Sequence, residues 1–230
     1  MHGPPAHFFP RCARTAFSTG SDEPPPLFPD EALTVQDAVA SRQREFALGR
    51  WCARKALAEL GVPAQSIPVA RYRSPVWPSD VVGSISHCKG FVGAVVARTD
   101  CLDALGFDAE QSEPLNADIV PLVCTPPEIA WMHTWTDGRE LQRAKLIFSA
   151  KEAVHKCMWP RFGELLDFLD VTLELDLARN EFSARATASG ARTGVKTAAN
   201  LVHLVGRLAV TERLVFTCAF VESSPGSATT

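Results

Sequence analysis

The spacing of hydrophobic positions changes along the chain, and with it the predicted element. From about Thr34 to Leu60, Val39, Phe46, Ala53, Leu57 and Leu60 fall on one stripe of a helix, and Gly61 and Pro63 are its stop signals. After a proline-rich turn, Ser74 to Pro78, the stretches Val81–Ser86, Phe91–Arg98 and Leu105–Glu110 read as strands. Two or three helices are predicted between Pro114 and Trp159, the last beginning near Arg139. From Leu169 to Val221 strand-like alternation returns, clearest where Glu174 and Asp176 separate Leu173, Leu175 and Leu177. Residues 1–33, with Pro24-Pro25-Pro26, predict largely irregular structure, Ser189–Thr197 a loop, and Glu222–Thr230 a frayed tail. Helices and strands are mixed without a regular βαβ alternation, so the expected class is α+β.

Composition narrows the function classes. The chain has 230 residues, 46% hydrophobic and 21% charged, with a formal net charge of −3. That is ordinary globular composition, without the basic excess of a general nucleic-acid binder. The longest apolar run, Phe91 to Ala97, is too short to span a bilayer, and Met1 to Pro10 lacks a signal-peptide pattern. Seven cysteines, an odd number with no C-x-x-C pair, argue against a zinc ribbon or a disulfide framework. A reducing, cytoplasmic setting is the expectation.

Charge is unevenly placed. Between Arg42 and Lys55 five cations face one carboxylate, Glu45. Arg50 lies on the apolar stripe itself, where a guanidinium needs an anionic partner: an internal carboxylate or a ligand phosphate. Between Thr99 and Gly138 there is no lysine or arginine, while Asp108 and Glu110 stand inside an otherwise apolar strand.

Three short blocks could carry chemistry. In Asp108-Ala109-Glu110 the strand period aims both carboxylates at one face, suiting a hard cation, unless both simply face water. In Phe148-Ser-Ala-Lys-Glu-Ala-Val-His-Lys156, Glu152 and Lys156 share a helix face. They form either an i,i+4 pair or part of a site, and Ser149 with Glu152 also fits a capping box. In Gly83-Ser-Ile-Ser-His-Cys88, adjacent Ser86 and His87 diverge, which disfavours a nucleophile–base pair. A phosphate-holding turn and a plain strand end both remain open. No phosphate-binding G-x-x-x-x-G-K-[ST] loop is present.

The order and spacing of these blocks resemble the 4′-phosphopantetheinyl transferases. The enterobactin-synthetase component D branch is the more similar, through Leu48-Gly-Arg-Trp-Cys-Ala-Arg-Lys-Ala-Leu57, Pro75-Val-Trp-Pro78 and Thr125-Pro-Pro-Glu128. The resemblance runs from about Leu27 to Val221. It implies two similar α+β subdomains about a pseudo-twofold, residues 1–104 and 105–230, with coenzyme A in the cleft between them. It implies Mg²⁺ on Asp108, Glu110 and Glu152, and coenzyme A phosphates on Ser86, His87, Arg50, Arg54, Arg73, Lys151 and Lys156. Glu152 and Lys156 would be the catalytic pair.

The implied partner is an apo-carrier protein of peptidyl, aryl or acyl type, serving siderophore or nonribosomal synthesis, and the implied state is a monomer without nucleic acid or membrane span. Arg139, Arg143 and Lys145 are candidates for docking a carrier's acidic helix. His155 departs from the family's usual aromatic residue, and Ser74 stands where some relatives carry a cation. Two rival readings are a non-catalytic coenzyme A-binding protein and a magnesium-dependent phosphohydrolase.

Overall fold

The computed structural model describes residues 3–5, 7–163, 166–187 and 201–223. Two antiparallel sheets, each carrying a long helix, make up the molecule. The first sheet has the order β1-β3-β2, from β1 (Arg14–Ser18), β2 (Val81–Cys88) and β3 (Phe91–Arg98), with α2 (Ala40–Glu59) packed against β3 and β1. The second follows β4-β8-β7-β6-β5, built from β4 (Leu102–Gln111), β5 (Val171–Asp176), β6 (Glu181–Ala186), β7 (Leu204–Val210) and β8 (Leu214–Glu222). After the short helices α3 (Val120–Val123) and α4 (Pro126–Met132), α5 (Glu140–Phe162) lies on its β4–β8 face. The α+β expectation holds.

The helix expected from Thr34 to Leu60 is two helices, α1 (Pro29–Val35) and α2. Val39 is extended (φ −61°, ψ 151°) and 71% exposed, so it caps α2 and does not join its buried stripe. The break lets α1 fold back until the buried Glu31 carboxylate meets Arg54 Nη1 at 2.8 Å and the Ile67 N–H at 2.9 Å. Those bonds reward a bent path over a continuous helix. The stop signal acted as expected: Gly61 takes φ +75° just past the end of α2.

Residues 1–33 are less irregular than expected, because β1 pairs with β3 from Arg14↔Val96 to Ser18↔Val92. Ahead of β1, Phe8 and Phe9 pack on Phe216 and Phe107, so the N-terminal segment reaches the second sheet. The same course joins Cys12 to Cys101 in the β3–β4 turn as a disulfide with a Cα–Cα distance of 6.6 Å. The cysteine pattern argued against a disulfide framework; one bridge is present nevertheless, beside five free cysteines. Spacing rules could not reveal a pair 89 residues apart that only β1 pairing brings together. At the other end, Glu222 pairs with Leu102 and Ser223 N–H donates to Cys101 O, so the tail is ordered two residues further than expected. The loop expected at Ser189–Thr197 lies outside the described residues.

One glycine sets how closely α5 approaches its sheet. A Cβ on Gly106 would lie 2.0 Å from Ala153 O and 2.5 Å from Cys157 N. Only glycine lets the backbones of β4 and α5 touch there. That contact lies two residues from Asp108 on the strand and, through Ala153 and Cys157, one residue from Glu152 and Lys156 on the helix, so it sets the depth of the site described next.

Candidate active site

β2 and β4 lie side by side at the seam between the halves, but in separate sheets. Serine side chains join them. Ser84 Oγ donates to Phe107 O at 3.2 Å, and Ser86 Oγ accepts from the Ala109 N–H at 3.1 Å. Beside the seam is a cavity of ≈730 Å³. The first half contributes Arg42, Arg73 and His87 to its wall, and the second contributes Glu152, His155, Lys156 and Trp159.

Asp108, 3% exposed, is the most tightly held of the three predicted carboxylates. Oδ1 accepts from Lys156 Nζ at 2.6 Å and from Ser86 Oγ at 3.0 Å, and Oδ2 accepts from Ser149 Oγ at 2.8 Å. Thr217 on β8, paired with Asp108 in register, backs Ser149 by donating to its carbonyl at 2.8 Å. A buried carboxylate is tolerable because its oxygens are met by donors and by a cation. Ser149 lies well inside α5, so the capping-box alternative for Ser149 and Glu152 is set aside.

Glu110 pairs with Lys145 at 3.3 Å. Burial and then the charge of Asp108 push its carboxyl above the ordinary range, against the pull of Lys145. Glu152 is pushed the same way, first by burial; Lys156 opposes this, and Asp108 and Glu110 reinforce it. At Lys156 burial acts downward, but Asp108, Glu152 and Glu110 together hold the ammonium above its usual value. The three acidic residues thus share one field, centred on a lysine.

Across the cavity, Arg42 Nη1 donates to His87 Nε2 at 2.6 Å, and His87 Nδ1 lies 3.6 Å from Glu45 Oε2. Burial first, then Arg42, lowers the basicity of His87. Arg73 reaches the cavity on a short 3-10 turn, Arg71–Arg73, where Tyr72 and Arg73 both hold positive φ (56° and 64°). The Tyr72 ring meets Trp159 of α5 edge-on, with centroids 4.7 Å apart.

Several predicted residues do not reach the cavity with their charged groups. Arg50, 5% exposed, donates through Nε to Ile67 O at 2.8 Å and lies over the Phe46 ring; burial brings its pKa to about 10. Arg54 Nη1 donates to both oxygens of Glu31, at 2.8 and 3.0 Å. The internal carboxylate Glu31 is held by Arg54, whereas Arg50 bonds a backbone carbonyl and feels Glu31 only as a nearby charge that favours its protonated form. Lys151 lines the cavity, but its ammonium donates to Val123 O, Glu128 Oε2 and Phe168 O at 2.8, 2.8 and 2.7 Å. Ser86 turns toward Asp108. Arg143 is 5% exposed on Asp137, and Lys145 is committed to Glu110, which removes two of the three suggested docking cations.

Sequence reasoning missed Arg42 as a site residue, although it opens the basic window. It also missed Ser149 and Thr217, for which the sequence carries no signal beyond a buried hydroxyl in a helix and a strand.

Among the described residues, no group of three or more His, Cys, Asp or Glu side chains is arranged as a ready metal cage. The chemistry of the donors nevertheless fits a hard divalent cation. All three are carboxylate oxygens, and burial and mutual repulsion disfavour the ionised forms of Glu110 and Glu152, a burden an added cation relieves.

A family model described as the 4′-phosphopantetheinyl transferase N-terminal domain matches residues 28–97, and one for the 4′-phosphopantetheinyl transferase superfamily matches residues 104–204. The 4′-phosphopantetheinyl transferase Svp of Streptomyces mobaraensis is 40% identical over 93% of this chain and 86% of its own length. The chain belongs to the 4′-phosphopantetheinyl transferase family. PptT of Mycobacterium tuberculosis, also named a 4′-phosphopantetheinyl transferase, is 35% identical over 88% of this chain and 90% of its own. The enterobactin synthase component D of Escherichia coli K12 is 35% identical over 53% of this chain and 57% of its own. In this transferase the matched superfamily region contains Asp108, Glu110, Glu152 and Lys156, and the N-terminal match contains Arg42, Ser86 and His87.

Proposed function

We propose that this transferase moves the phosphopantetheine arm of coenzyme A onto a serine of an apo-carrier protein, releasing 3′,5′-ADP. The observation that carries the proposal is the facing of two charge sets across one cavity. Arg42 and His87 line one side, and Glu152 and Lys156 line the other, next to Asp108 and Glu110. A polyanion with a reactive pyrophosphate needs cations at its ends and a proton acceptor at its centre.

In the proposed reaction the serine oxygen forms a bond to the phosphorus that carries pantetheine. The bond from that phosphorus to the bridging oxygen breaks, and 3′,5′-ADP departs. Glu152 takes the serine proton, a role its raised proton affinity supports. Lys156 neutralises charge on the pyrophosphate and the leaving group. Arg42, His87 and Arg73 are assigned to the nucleotide phosphates, in place of Arg50, Arg54 and Lys151, which bond within the fold through Arg50 Nε, Arg54 Nη1 and the Lys151 ammonium. Asp108, Glu110 and Glu152 would hold Mg²⁺, which when bound would neutralise charge on the phosphate oxygens and orient them.

The division at residues 1–104 and 105–230, with coenzyme A between, belongs to the same proposal. So do a monomeric state, a cytoplasmic setting, and a peptidyl or aryl carrier of siderophore-type nonribosomal synthesis. Among the described residues no helix is long and apolar enough to cross a membrane.

The test is intact-mass analysis of an apo-peptidyl carrier domain incubated with this chain, coenzyme A and Mg²⁺. The expected result is a mass gain equal to phosphopantetheine, with 3′,5′-ADP formed in step. An unmodified carrier beside intact coenzyme A would leave a binding protein instead, and phosphate release without carrier modification would leave a hydrolase.

A further inference from the structure

Every residue of β8 from Leu214 to Val221 is buried, and Thr217 carries the one hydroxyl in that run. Its register partner is Asp108 on β4, so the two side chains share the sheet face on which α5 lies. Thr217 Oγ1 is 2.8 Å from Ser149 O and 2.9 Å from Ser149 Oγ, and Ser149 Oγ donates to Asp108 Oδ2 at 2.8 Å. Thr217 and Ser149 are both 0% exposed, so no water competes for these bonds.

The hydrogens available fix the direction of the relay. A hydroxyl has one hydrogen, and Asp108, paired with the Lys156 ammonium, only accepts. Ser149 donates its hydrogen to Asp108, so the contact between the two hydroxyls has only the Thr217 hydrogen to use. Both acceptors within reach of that hydrogen belong to Ser149. A serine inside a helix can otherwise turn back to a carbonyl three or four residues earlier. Thr217 holds Ser149 on Asp108 instead.

We propose that Thr217 is a positioning residue of this site: through Ser149 it orients the Asp108 carboxylate as a ligand of the divalent cation. The proposal rests on the transferase reading, with Asp108 on the metal, and deepens it. A metal ligand whose own hydrogen-bond partner is removed binds its ion less tightly, commonly by about 10- to 100-fold.

The test compares Thr217→Val, close in shape but without the hydroxyl, with Thr217→Ser in the full chain. Mn²⁺ binding beside coenzyme A is read by the paramagnetic resonance of the free ion. In Thr217→Val the Mn²⁺ Kd is expected to rise about tenfold, and transfer at limiting Mg²⁺ to fall similarly and return as Mg²⁺ is raised. Thr217→Ser keeps the hydroxyl and is expected to stay within about twofold of the wild type. If Thr217→Val melts lower but binds Mn²⁺ as the wild type does, the hydroxyl only packs the helix on the sheet and the proposal is wrong. A wild-type chain that takes up no Mn²⁺ beside coenzyme A overturns it too. Should the valine variant not fold, Ser149→Ala removes the donor from Asp108 directly and reads the same shift.

A second measurement needs no ligand. Unfolding midpoints of Thr217→Val, Asp108→Asn and the double variant are expected to be non-additive, and additive midpoints overturn the proposal. Carrier modification is read separately. A Mn²⁺ shift in a chain that modifies no carrier keeps the role of Thr217 and rejects the transferase reading, whereas carrier modification without a Mn²⁺ shift rejects the role of Thr217 alone.

Discussion

Arg42 donates a guanidinium N–H to the ring of His87: Nη1 to Nε2 is 2.6 Å. Guanidinium only donates, so Nε2 is the acceptor, and the neutral ring carries its hydrogen on Nδ1, the nitrogen facing Glu45. The pair fixes a cation from α2 beside a histidine from β2 at the cavity wall, and it lasts only while His87 is uncharged.

That dependence gives a pH prediction. Burial and Arg42 lower the proton affinity of His87 in the folded chain relative to an ordinary histidine near 6.5, against the pull of Glu45. Because the unfolded state binds the proton more tightly, stability falls as pH drops through about 6.5 and levels off below the lowered folded value. Lys156 acts in the same direction as Arg42, and Asp108 in the opposite one. In His87→Asn the loss of melting temperature between pH 7.5 and pH 5.5 (conditions chosen at about one unit either side of the ordinary value) is expected to be smaller than in the wild type. Equal losses would show that the ring does not titrate in this setting.

Arginines of α2 separate by role. Arg42→Ala is expected to raise the KM for coenzyme A about tenfold with a smaller change in kcat, the mark of lost ground-state binding. Arg54→Ala is expected to lower the melting temperature, because it strands the buried Glu31 carboxylate, with KM nearly unchanged. Steady-state kinetics and thermal scans of both variants decide it; exchanged phenotypes would restore Arg54 to the ligand.

Glu152→Gln is expected to lose on the order of 10²- to 10⁴-fold in kcat, the usual span for a general base. It is also expected to melt higher at neutral pH. The raised proton affinity of Glu152 means that its ionised form disfavours the fold above the unfolded pKa, and glutamine removes that charge. A variant that is slower and also less stable would contradict the crowding of acids described at this site.

Lys151 and Glu128 are only 2% and 1% exposed in their side chains, and Glu128 also accepts from Thr125 N at 2.6 Å and Leu173 N at 2.7 Å. Breaking such a pair by Lys151→Met is expected to cost about 3–5 kcal/mol. Adding Glu128→Leu is expected to return part of that loss, since no lone charge then remains buried. Denaturant unfolding of the single and double variants measures both numbers. A Lys151→Met protein of full stability with a raised KM would instead return Lys151 to the phosphates.

The local part of the site was legible. A two-residue strand period set Asp108 and Glu110 on one face, and four-residue helical spacing did the same for Glu152 and Lys156, because both depend only on backbone geometry. The family blocks carried the likeness on to the function. The partners were not legible. Arg42, Arg50 and Arg54 are alike in a helical window, and only the fold-back of α1, which buries Glu31, and the approach of β2, which brings His87, separate a cavity-lining guanidinium from internal ones. The bonds of Ser86 to Asp108 and to the Ala109 N–H were not legible either, because they need β4 alongside β2. β1 and the Cys12–Cys101 bond were likewise hidden, since each needs a partner many residues away. The sequence determined which chemical groups sit on which face of each element. The tertiary structure decided which of those groups remain free for a ligand, because donors and acceptors are finite and long-range packing determines what each one meets first.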